Sequence, residues 1–274
     1  MGESSHRHMA GEIISRSGQL KVVILGAGNV ATHLAMALND HCEILQIYNR
    51  SIGNARTIAD KINSDAVADI SDIRDDADLY IIALSDDAIL PTVDKLGKRR
   101  GIWVHTSGST PLEVLSPLSD KIGVFYPMQT FTKGIPVKFS EVPFFLEASS
   151  REVDDALRSL ALKLSPNVRT ISSRQRQLLH IAAVFACNFT DYMWVESAKL
   201  LDEIGSDFSV MEPLISAIFK KAISYGPKNS LTGPARRGDT KVIDRHLKEL
   251  SGDTKEIYRL LSDSIIKTFS NTSL

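Results

Sequence analysis

The chain has 274 residues, a length that suits one large domain or two modest ones. Hydrophobic residues make up 43%, charged residues 24%, and the formal net charge is -1, which is ordinary for a globular protein. This balance excludes the basic field of a typical nucleic-acid-binding protein, and no run of Lys and Arg marks a membrane surface. No uninterrupted apolar stretch reaches ~18 residues, so no transmembrane helix is expected.

Residues 1–19 are polar and lack the apolar core of a signal peptide, so they are predicted to be a disordered lead-in. Cys42 and Cys187 lie far apart in the sequence, which excludes a disulfide framework and a metal-ligand cluster. Both lie among apolar residues, and two buried free thiols are expected. This cysteine usage fits the reducing cytoplasm, and no metal site is predicted.

The first predicted element is a buried strand, Val22 to Leu25, followed by a glycine-rich turn and an amphipathic helix. Gly26, Gly28 and Ala31 form the motif G-x-G-x-x-A. Gly26 permits a tight turn, Gly28 lets a pyrophosphate approach the backbone, and Ala31 lets the helix pack closely on the sheet. The strand before and the helix after give the motif its required context. The predicted cofactor-binding residues of this turn are Gly26, Gly28, Asn29 and Val30.

The second predicted strand ends at Asn49, 21 residues after Gly28. A dinucleotide fold places here the residue that faces the adenosine ribose, and NAD sites usually have Asp or Glu. This chain has Asn49, Arg50 and Ser51 instead. A guanidinium can bind a 2′-phosphate through paired charge-assisted hydrogen bonds, whereas a carboxylate would repel it. NADP is therefore the predicted cofactor, the alternative being that Arg50 is a solvated loop residue.

Two further buried strands, residues 79–84 and 101–105, end in polar turns. The carboxyl ends of parallel strands meet at one edge of a sheet, where ligands bind, so these turns are expected to line the same site. Each turn alone could be an ordinary loop rich in Gly, Ser and Asp. The predicted cofactor contacts in the first of these turns are Leu84, Ser85 and Asp86.

The rest of the first half continues the sheet, and the second half is helical. Strands at 124–131, 142–148 and 167–172, with a helix at 151–164, extend the first domain to residue 172. The predicted fold class is α/β, a Rossmann-type doubly wound parallel sheet over residues 20–172 and an all-α C-terminal domain over residues 173–274. Helices are predicted at 174–205, 211–226, 239–250 and 254–269.

The first of these helices, 174–205, has apolar residues around much of its circumference. This pattern indicates that neighbouring helices or a second subunit cover it.

The segment LTGPARRGDT, residues 231–240, joins two predicted helices. Gly233 and Pro234 predict a turn, and Asp239 can cap the next helix. Its Arg-Gly-Asp tripeptide would signal cell adhesion only in a secreted protein, which nothing here indicates, and the spacing is not that of a Walker loop. Two interpretations remain, a structural turn or a turn whose Arg236 and Arg237 face an anionic substrate or cofactor.

Taken together, the motifs GAGNVA, NRS, HTSGS, YPMQTF, HxAAVFxxNF and LTGPxxRGD resemble those of a known family. The chain is similar, over about residues 20–270, to proposed NADP oxidoreductases in which a Rossmann-like domain precedes a helical domain of unknown function. That family is similar in architecture to pyrroline-5-carboxylate reductase and the β-hydroxyacid dehydrogenases. The resemblance implies an active site between the two domains and a homodimer formed through the C-terminal helices.

The chain departs from the β-hydroxyacid dehydrogenases at one position. They carry a Lys four residues before an Asn on the interdomain helix, whereas Val184 precedes Asn188 here, so their proton chemistry is not carried over. His180 could instead transfer a proton while Asn188 holds a carbonyl or imine, with both bordering one cleft. His105 is the rival acid, and Ser107 is expected to bind the nicotinamide side of the cofactor or the substrate rather than act as a nucleophile. Alternatively, His180 is a core histidine bonded to a backbone carbonyl.

These observations favour an NADP-dependent oxidoreductase that transfers a hydride to or from a small carbonyl or imine compound bound between the two domains. The missing Lys leaves a non-catalytic NADP-binding sensor as the alternative. A cytoplasmic protein with no nucleic-acid or membrane partner is expected.

Overall fold

The computed structural model of the protein describes residues 19–270. Of the predicted lead-in, residues 1–18 lie outside the described residues. The chain divides into two compact units, the first ending at Cys187 and the second beginning at Asn188. This division falls within a continuous helical run, and the domain boundary inferred after residue 172 stays a prediction.

The first unit is built on one sheet of eight strands, β1 (Leu20–Leu25), β2 (Cys42–Tyr48), β3 (Asp65–Val67), β4 (Leu79–Ile82), β5 (Ile102–His105), β6 (Ile122–Pro127), β7 (Phe144–Ala148) and β8 (Val168–Thr170). Their order across the sheet is β3-β2-β1-β4-β5-β6-β7-β8. Every neighbouring pair is parallel except β6 and β7, which are antiparallel. A loop without a crossover helix joins that pair, which permits the antiparallel arrangement. The predicted Rossmann-type sheet is confirmed as mainly parallel.

Alternate residues of the central strands face two separate cores. In β1, Val22 and Ile24 lie in one core with buried residues of the first, second and fourth helices, whereas Val23 and Leu25 lie in the other with the third helix. Burial on both faces explains the continuous apolar runs of these strands. The helices of this unit are α1 (Asn29–Leu38), α2 (Ile52–Ile62), α3 (Asp86–Leu96), α4 (Arg151–Leu164) and α5 (Ser173–Ala183).

The second unit is helical, as predicted from the sequence. Asp239 caps α10, because its side chain accepts a hydrogen bond from the Val242 N–H at 3.2 Å. The predicted turn at Gly233 and Pro234 contains a short helix. The helices are α6 (Thr190–Glu203), α7 (Glu212–Tyr225), α8 (Pro227–Ser230), α9 (Pro234–Arg237), α10 (Thr240–Glu249) and α11 (Gly252–Ser270).

A π-helical segment, Val184–Phe189, connects α5 to α6. The predicted helix over residues 174–205 is therefore continuous but not uniformly α-helical. The regular spacing of 3.6 residues per turn does not hold between His180 and Asn188, because π-helical hydrogen bonds span five residues rather than four.

By length and composition, one helical run within residues 19–270 could cross a membrane, Ser173–Glu203. The sequence analysis considered only uninterrupted apolar stretches and did not identify this run, and the expectation of no transmembrane helix stays a prediction. A single such run is weak evidence, because core helices pass the same test. Its apolar side chains are largely exposed in the single chain, including Phe185 at 64% and Phe189 at 49%.

The two cysteines differ in their surroundings. Cys42 is buried, as expected, and burial raises the pKa of its thiol to about 11. Cys187 is exposed, so the expectation of two buried thiols is wrong. Cys187 lies in the π-helical segment, where Phe185, Asn188 and Phe189 are also exposed.

Candidate functional site

The four predicted site segments and the YPMQTF segment lie at the carboxyl ends of five strands, along one edge of the sheet. These strands are β2, β1, β4, β5 and β6, and they are mutually parallel. After β1 the chain builds β2 and β3 on one side, and it then returns to place β4 on the other side of β1. The crevice at such a reversal of strand order is where open α/β sheets bind ligands.

The glycine-rich turn after β1 has the geometry of a phosphate cradle. Gly26 has φ 129°, and a Cβ there would lie 2.2 Å from the Ala83 carbonyl oxygen, so only glycine fits. A Cβ at Gly28 would meet no atom within 4 Å, so the space beside that backbone is open. No acidic residue lies in the first turn of α1, and Asn29 and Val30 open that helix. Its N-terminal N–H groups and positive dipole end can therefore face a phosphate.

The turn after β2 presents a guanidinium beside the start of α2. The Asn49 amide donates a hydrogen bond to the Ser51 carbonyl oxygen at 3.1 Å, which shapes the turn. Ser51 is the N-cap residue of α2, whose first turn has no acidic residue. Arg50 is exposed and has no ion-pair partner among the described residues. Its side chain is therefore available to an anionic ligand.

The turn after β4 lies beside the glycine-rich turn and is tied to the next loop. Leu84 is the side chain closest to Gly26, 3.4 Å from the position that a Cβ would take. Ser85 is the N-cap residue of α3, and Asp86 lies in its first turn, where a carboxylate stabilises the helix. Asp86 also accepts a hydrogen bond from the Ser109 hydroxyl. Asp86 therefore holds the turns after β4 and β5 together.

His105 and Ser107 shape the loop after β5. Both are buried, and the Nδ1 of His105 accepts a hydrogen bond from the Ser107 N–H at 3.1 Å. The Ser107 hydroxyl oxygen accepts from the N–H groups of Ser109 and Thr110 at 3.1 and 2.9 Å. Burial, reinforced by the positive charge of Arg176, lowers the pKa of His105 to about 4. His105 is thus neutral near pH 7 and hidden from solvent, which favours His180 as the proton donor.

His180, on α5, lies directly against the loop after β5. A Cβ on Gly108 would lie 2.6 Å from the Nδ1 of His180, so the close approach depends on glycine at that position. The same Nδ1 lies 3.3 Å from the Tyr126 hydroxyl. Burial raises the pKa of Tyr126, which keeps its phenol protonated, and a phenol hydroxyl can donate to Nδ1 or accept from Nδ1–H, depending on the tautomer of His180. With Nδ1 engaged, Nε2 is the nitrogen left for a ligand.

Gly108 and Tyr126 are site residues that the sequence analysis missed. Both lie in segments that it had quoted, HTSGS and YPMQTF. The rule that ligands bind beyond strand ends could have identified Tyr126, which is the second-to-last residue of β6. Its pairing with His180 depends on a contact 54 residues away in sequence, and no local pattern reveals that contact.

A buried ion pair supports this arrangement. The guanidinium of Arg176 is 1% exposed, and it contacts Glu147 on β7. It also donates hydrogen bonds to the Thr110 carbonyl oxygen and to the Ser173 hydroxyl. Glu147 in turn accepts from the backbone N–H of Ser173 at 2.8 Å. These bonds hold the loop after β5 against the start of α5, which fixes where His180 lies.

The predicted pair of His180 and Asn188 is divided between the two units. His180 belongs to the first unit, and Asn188 is an exposed residue at the start of the second. A shared cleft for these residues stays a prediction.

The loop after β6 adds another contact near the glycine-rich turn. The Nε2 of His33, on α1, lies 3.0 Å from the Thr132 carbonyl oxygen, and its ring centroid lies 5.2 Å from that of Phe131. The YPMQTF segment therefore reaches the helix that begins at the phosphate cradle.

Two domain families match the sequence. Residues 7–128 match a Rossmann-like domain, and residues 142–265 match a domain of unknown function, DUF2520. The crystal structure described as a "putative NADP oxidoreductase" from Bacteroides fragilis is 41% identical and has a TM-score of 0.86. The match covers 91% of this chain and 98% of that one. The family resemblance inferred from the motifs is confirmed.

More distant structures share the fold. A reductive aminase from Aspergillus terreus, in complex with NADPH and ethyl-5-oxohexanoate, is 12% identical over 91% of this chain and 94% of its own, with a TM-score of 0.70. A 1-pyrroline-5-carboxylate reductase from Streptococcus pyogenes is 15% identical over 90% of this chain and 98% of its own, with a TM-score of 0.61. At these identities the likeness shows the fold alone. No curated protein matches the sequence.

Proposed function

This chain belongs to the family in which a Rossmann-like domain precedes the DUF2520 domain, and we propose that it is an NADP-dependent oxidoreductase acting on a small carbonyl or imine compound. Its general class, an NADP oxidoreductase, is the one given for the relative from Bacteroides fragilis. The observation that carries the cofactor choice is Arg50, which has no ion-pair partner among the described residues and follows Asn49, the residue at the position where NAD-binding folds carry a carboxylate.

The residues at the strand ends fit a dinucleotide. Gly28 leaves open space beside the backbone at the start of α1, where a pyrophosphate would be held. Arg50 and Ser51 would contact the 2′-phosphate of the adenosine ribose. Leu84 lies beside the turn at Gly26, where it would contact the bound dinucleotide.

The proposed proton chemistry belongs to His180. The bound cofactor would supply or accept the hydride at the substrate carbon. In the reducing direction, the substrate oxygen or nitrogen must gain a proton as that carbon gains the hydride. The imidazolium form of His180 would donate this proton from Nε2 and become neutral imidazole, while its Nδ1–H would donate to the Tyr126 hydroxyl oxygen, which holds the ring. Ser107 shapes the loop, and its hydroxyl oxygen already accepts two backbone N–H groups.

An alternative function is a non-catalytic NADP sensor. It is favoured by one observation, Val184 in place of the Lys that β-hydroxyacid dehydrogenases use. Tight NADPH binding without turnover on carbonyl and imine compounds would support the sensor, and NADPH oxidation that is lost in His180→Ala would support the enzyme.

We also propose that the protein is a homodimer. The helical run Ser173–Glu203 and helix α7 expose large apolar side chains, including Phe185, Phe219 and Ile223 at 64%, 64% and 73%. Patches of this kind on single chains commonly mark interfaces. Substrate binding between the domains stays a prediction from the family resemblance.

The first test is calorimetric titration with NADPH and, separately, NADH. Calorimetry is preferable to quenching of tryptophan fluorescence, because Trp103 is fully buried and stacked on Tyr80, with ring centroids 4.0 Å apart. We expect tighter binding of NADPH than of NADH. Arg50→Ala should weaken NADPH binding by about tenfold or more, because hydrogen bonds to charged groups contribute about 1.5–3 kcal/mol.

NADH binding should stay unchanged in Arg50→Ala. The matched control is Lys95→Ala, which removes an exposed positive charge from the last turn of α3 and should leave both affinities unchanged. Equal affinities for the two nucleotides, or no binding of either, would overturn the cofactor assignment.

A further inference from the structure

The second unit contains a cavity of about 640 Å³. One wall is the loop between Leu231 and Gly238, and the other is formed by Ile266, Phe269 and Ser270 at the end of α11. This volume lies in the range of sites that bind small molecules, about 300–1,000 Å³. We call it the arginine pocket, because its charged lining residues are Arg236 and Arg237 and no acidic side chain among the described residues lines it.

The charges of the arginine pocket are not neutralised within the described part of the chain. Neither Arg236 nor Arg237 has an ion-pair partner among residues 19–270. The acid next to them in sequence, Asp239, accepts the Val242 N–H and so caps α10. Two adjacent positive charges on a concave surface attract an anion more strongly than they would on a flat, solvated face.

The guanidinium of Arg236 is held in an orientation that suits an oxyanion. Its Cζ lies over the ring of Phe269, 4.1 Å from the ring centroid. A guanidinium that stacks on an aromatic ring uses its flat face, which leaves the N–H groups at its edge free. Those N–H groups match the paired oxygens of a carboxylate or phosphate.

The loop of the arginine pocket has a backbone shape that requires glycine at both ends. Gly233 has φ 107° and Gly238 has φ 69°, and a Cβ at either position would meet no atom within 4 Å. Glycine is therefore needed for conformation rather than for space. Pro234 lies between them at the start of α9 and restricts the backbone further. This local rigidity presents the two arginines without a large cost of ordering the loop.

From these observations we propose that the arginine pocket binds a small organic anion with one carboxylate or phosphate group. The oxyanion would be held by Arg236 and Arg237, and the apolar body of the ligand would lie against Leu231, Ile266 and Phe269. This binding needs no nucleotide, so it goes beyond the proposed oxidoreductase activity. It also gives the Arg-Gly-Asp tripeptide a local role, in which the middle glycine shapes the loop and the acid caps the following helix.

The test is calorimetric titration of the full chain, without nucleotide, with four probes. Hexanoate and hexyl phosphate combine an oxyanion with an apolar body, inorganic phosphate lacks the apolar body, and 1-hexanol lacks the charge. We expect one or both of the first two to bind, with inorganic phosphate weaker and 1-hexanol not detected. The comparison of hexanoate with hexyl phosphate decides which oxyanion the pocket prefers.

Variants then locate the binding. Arg236→Gln and Arg237→Gln should each lower the affinity for the probe by about tenfold or more, as expected for a lost charge-assisted hydrogen bond. Arg236→Lys keeps the charge but loses the planar fork, and we expect an intermediate loss. The matched control is Arg245→Gln, which removes an exposed charge from α10 in the same unit and should change nothing.

Three results would overturn the proposal. The first is that neither hexanoate nor hexyl phosphate binds. The second is that 1-hexanol binds as tightly as these two probes. The third is that Arg245→Gln weakens binding as much as the substitutions at Arg236 and Arg237. These residues are exposed, and unchanged circular dichroism would exclude unfolding as the cause of a loss. Because Arg50→Ala should not alter probe binding, failure of this proposal is distinguishable from failure of the NADP assignment.

Discussion

At the residue scale, the two histidines of the site differ in access and in protonation. His105 is fully buried, and its Nδ1 accepts a backbone N–H within its own loop. His180 is half-buried, and its partner is the Tyr126 hydroxyl. The same residue type therefore has two tasks, a structural acceptor at the end of β5 and a candidate proton donor on α5.

The low pKa of His105 predicts a pH dependence of stability. Burial, with a smaller effect of Arg176, lowers its folded pKa from 6.5 to about 4. Between these values the unfolded chain binds a proton that the folded chain does not, so this contribution is fully present above about pH 6.5 and is lost as pH falls towards about 4. Urea unfolding at about pH 7.5 and about pH 4.5 measures it.

His105→Asn should remove this contribution. Wild type is expected to lose about 2–3 kcal/mol more unfolding free energy than His105→Asn across this interval. His41→Asn, a variant outside the site, should keep the wild-type dependence. Identical pH dependence in wild type and His105→Asn would show that His105 does not have a lowered pKa.

At the element scale, the ion pair between Arg176 and Glu147 joins three elements. It connects α5, β7 and the loop after β5, and Arg176 is 1% exposed. A buried charge that loses its partner costs far more than an exposed one, because the low-dielectric interior does not solvate it. The placement of His180 against Gly108 therefore depends on the ion pair of Arg176 and Glu147, which takes no part in the proposed proton transfer.

Arg176→Met is expected to lower the free energy of unfolding by about 3–5 kcal/mol, because it leaves the Glu147 carboxylate without its partner. The double variant Arg176→Met, Glu147→Leu should recover part of this loss, since neither charge then remains. Denaturant unfolding measures both.

The control is Arg158→Met, which breaks a pair with Asp154 whose side chains are 35% and 26% exposed. We expect it to cost less than about 1 kcal/mol. If Arg176→Met and Arg158→Met cost the same, the buried pair is not a stabilising link.

Comparison of the predicted and observed elements shows which sequence patterns were sufficient to predict a strand or a helix. The strands at Leu20–Leu25 and Ile102–His105 were predicted because each is a continuous apolar run bounded by turn residues. The short strand Asp65–Val67 was missed, since three residues at a sheet edge carry no periodic signal. The π-helical segment Val184–Phe189 was missed because its side-chain pattern resembles that of an ordinary helix.

At the scale of the whole molecule, helix α7 exposes several large apolar side chains in the single chain. Leu214, Ile218 and Phe219 of α7 are 57%, 55% and 64% exposed. A contiguous apolar surface in water costs about 25 cal/mol per Å², which favours covering it with a partner. A second copy of the chain would cover it, and a membrane is the rival suggested by the run Ser173–Glu203.

We expect light scattering to give a mass of two 30.2 kDa chains. Phe219→Glu and Ile223→Glu should each shift the protein towards monomer, because a charge buried in an apolar interface lacks a partner. Lys221→Glu, a charge change on the same helix, should leave the mass unchanged. A monomeric wild type that binds vesicles would contradict the dimer and favour the membrane.

The sequence by itself determined the alternation of strand and helix, the glycine-rich turn at Gly26 and Gly28, the neutral and basic residues after β2, and the helical second half. These features are local, because apolar periodicity and turn chemistry depend on neighbours within a few residues. Only the tertiary structure decided that His105 is buried, that Tyr126 and Gly108 hold His180, and that Arg176 pairs with Glu147. Those contacts join residues far apart in the chain, and a side chain's solvation and partners are set by what packs around it.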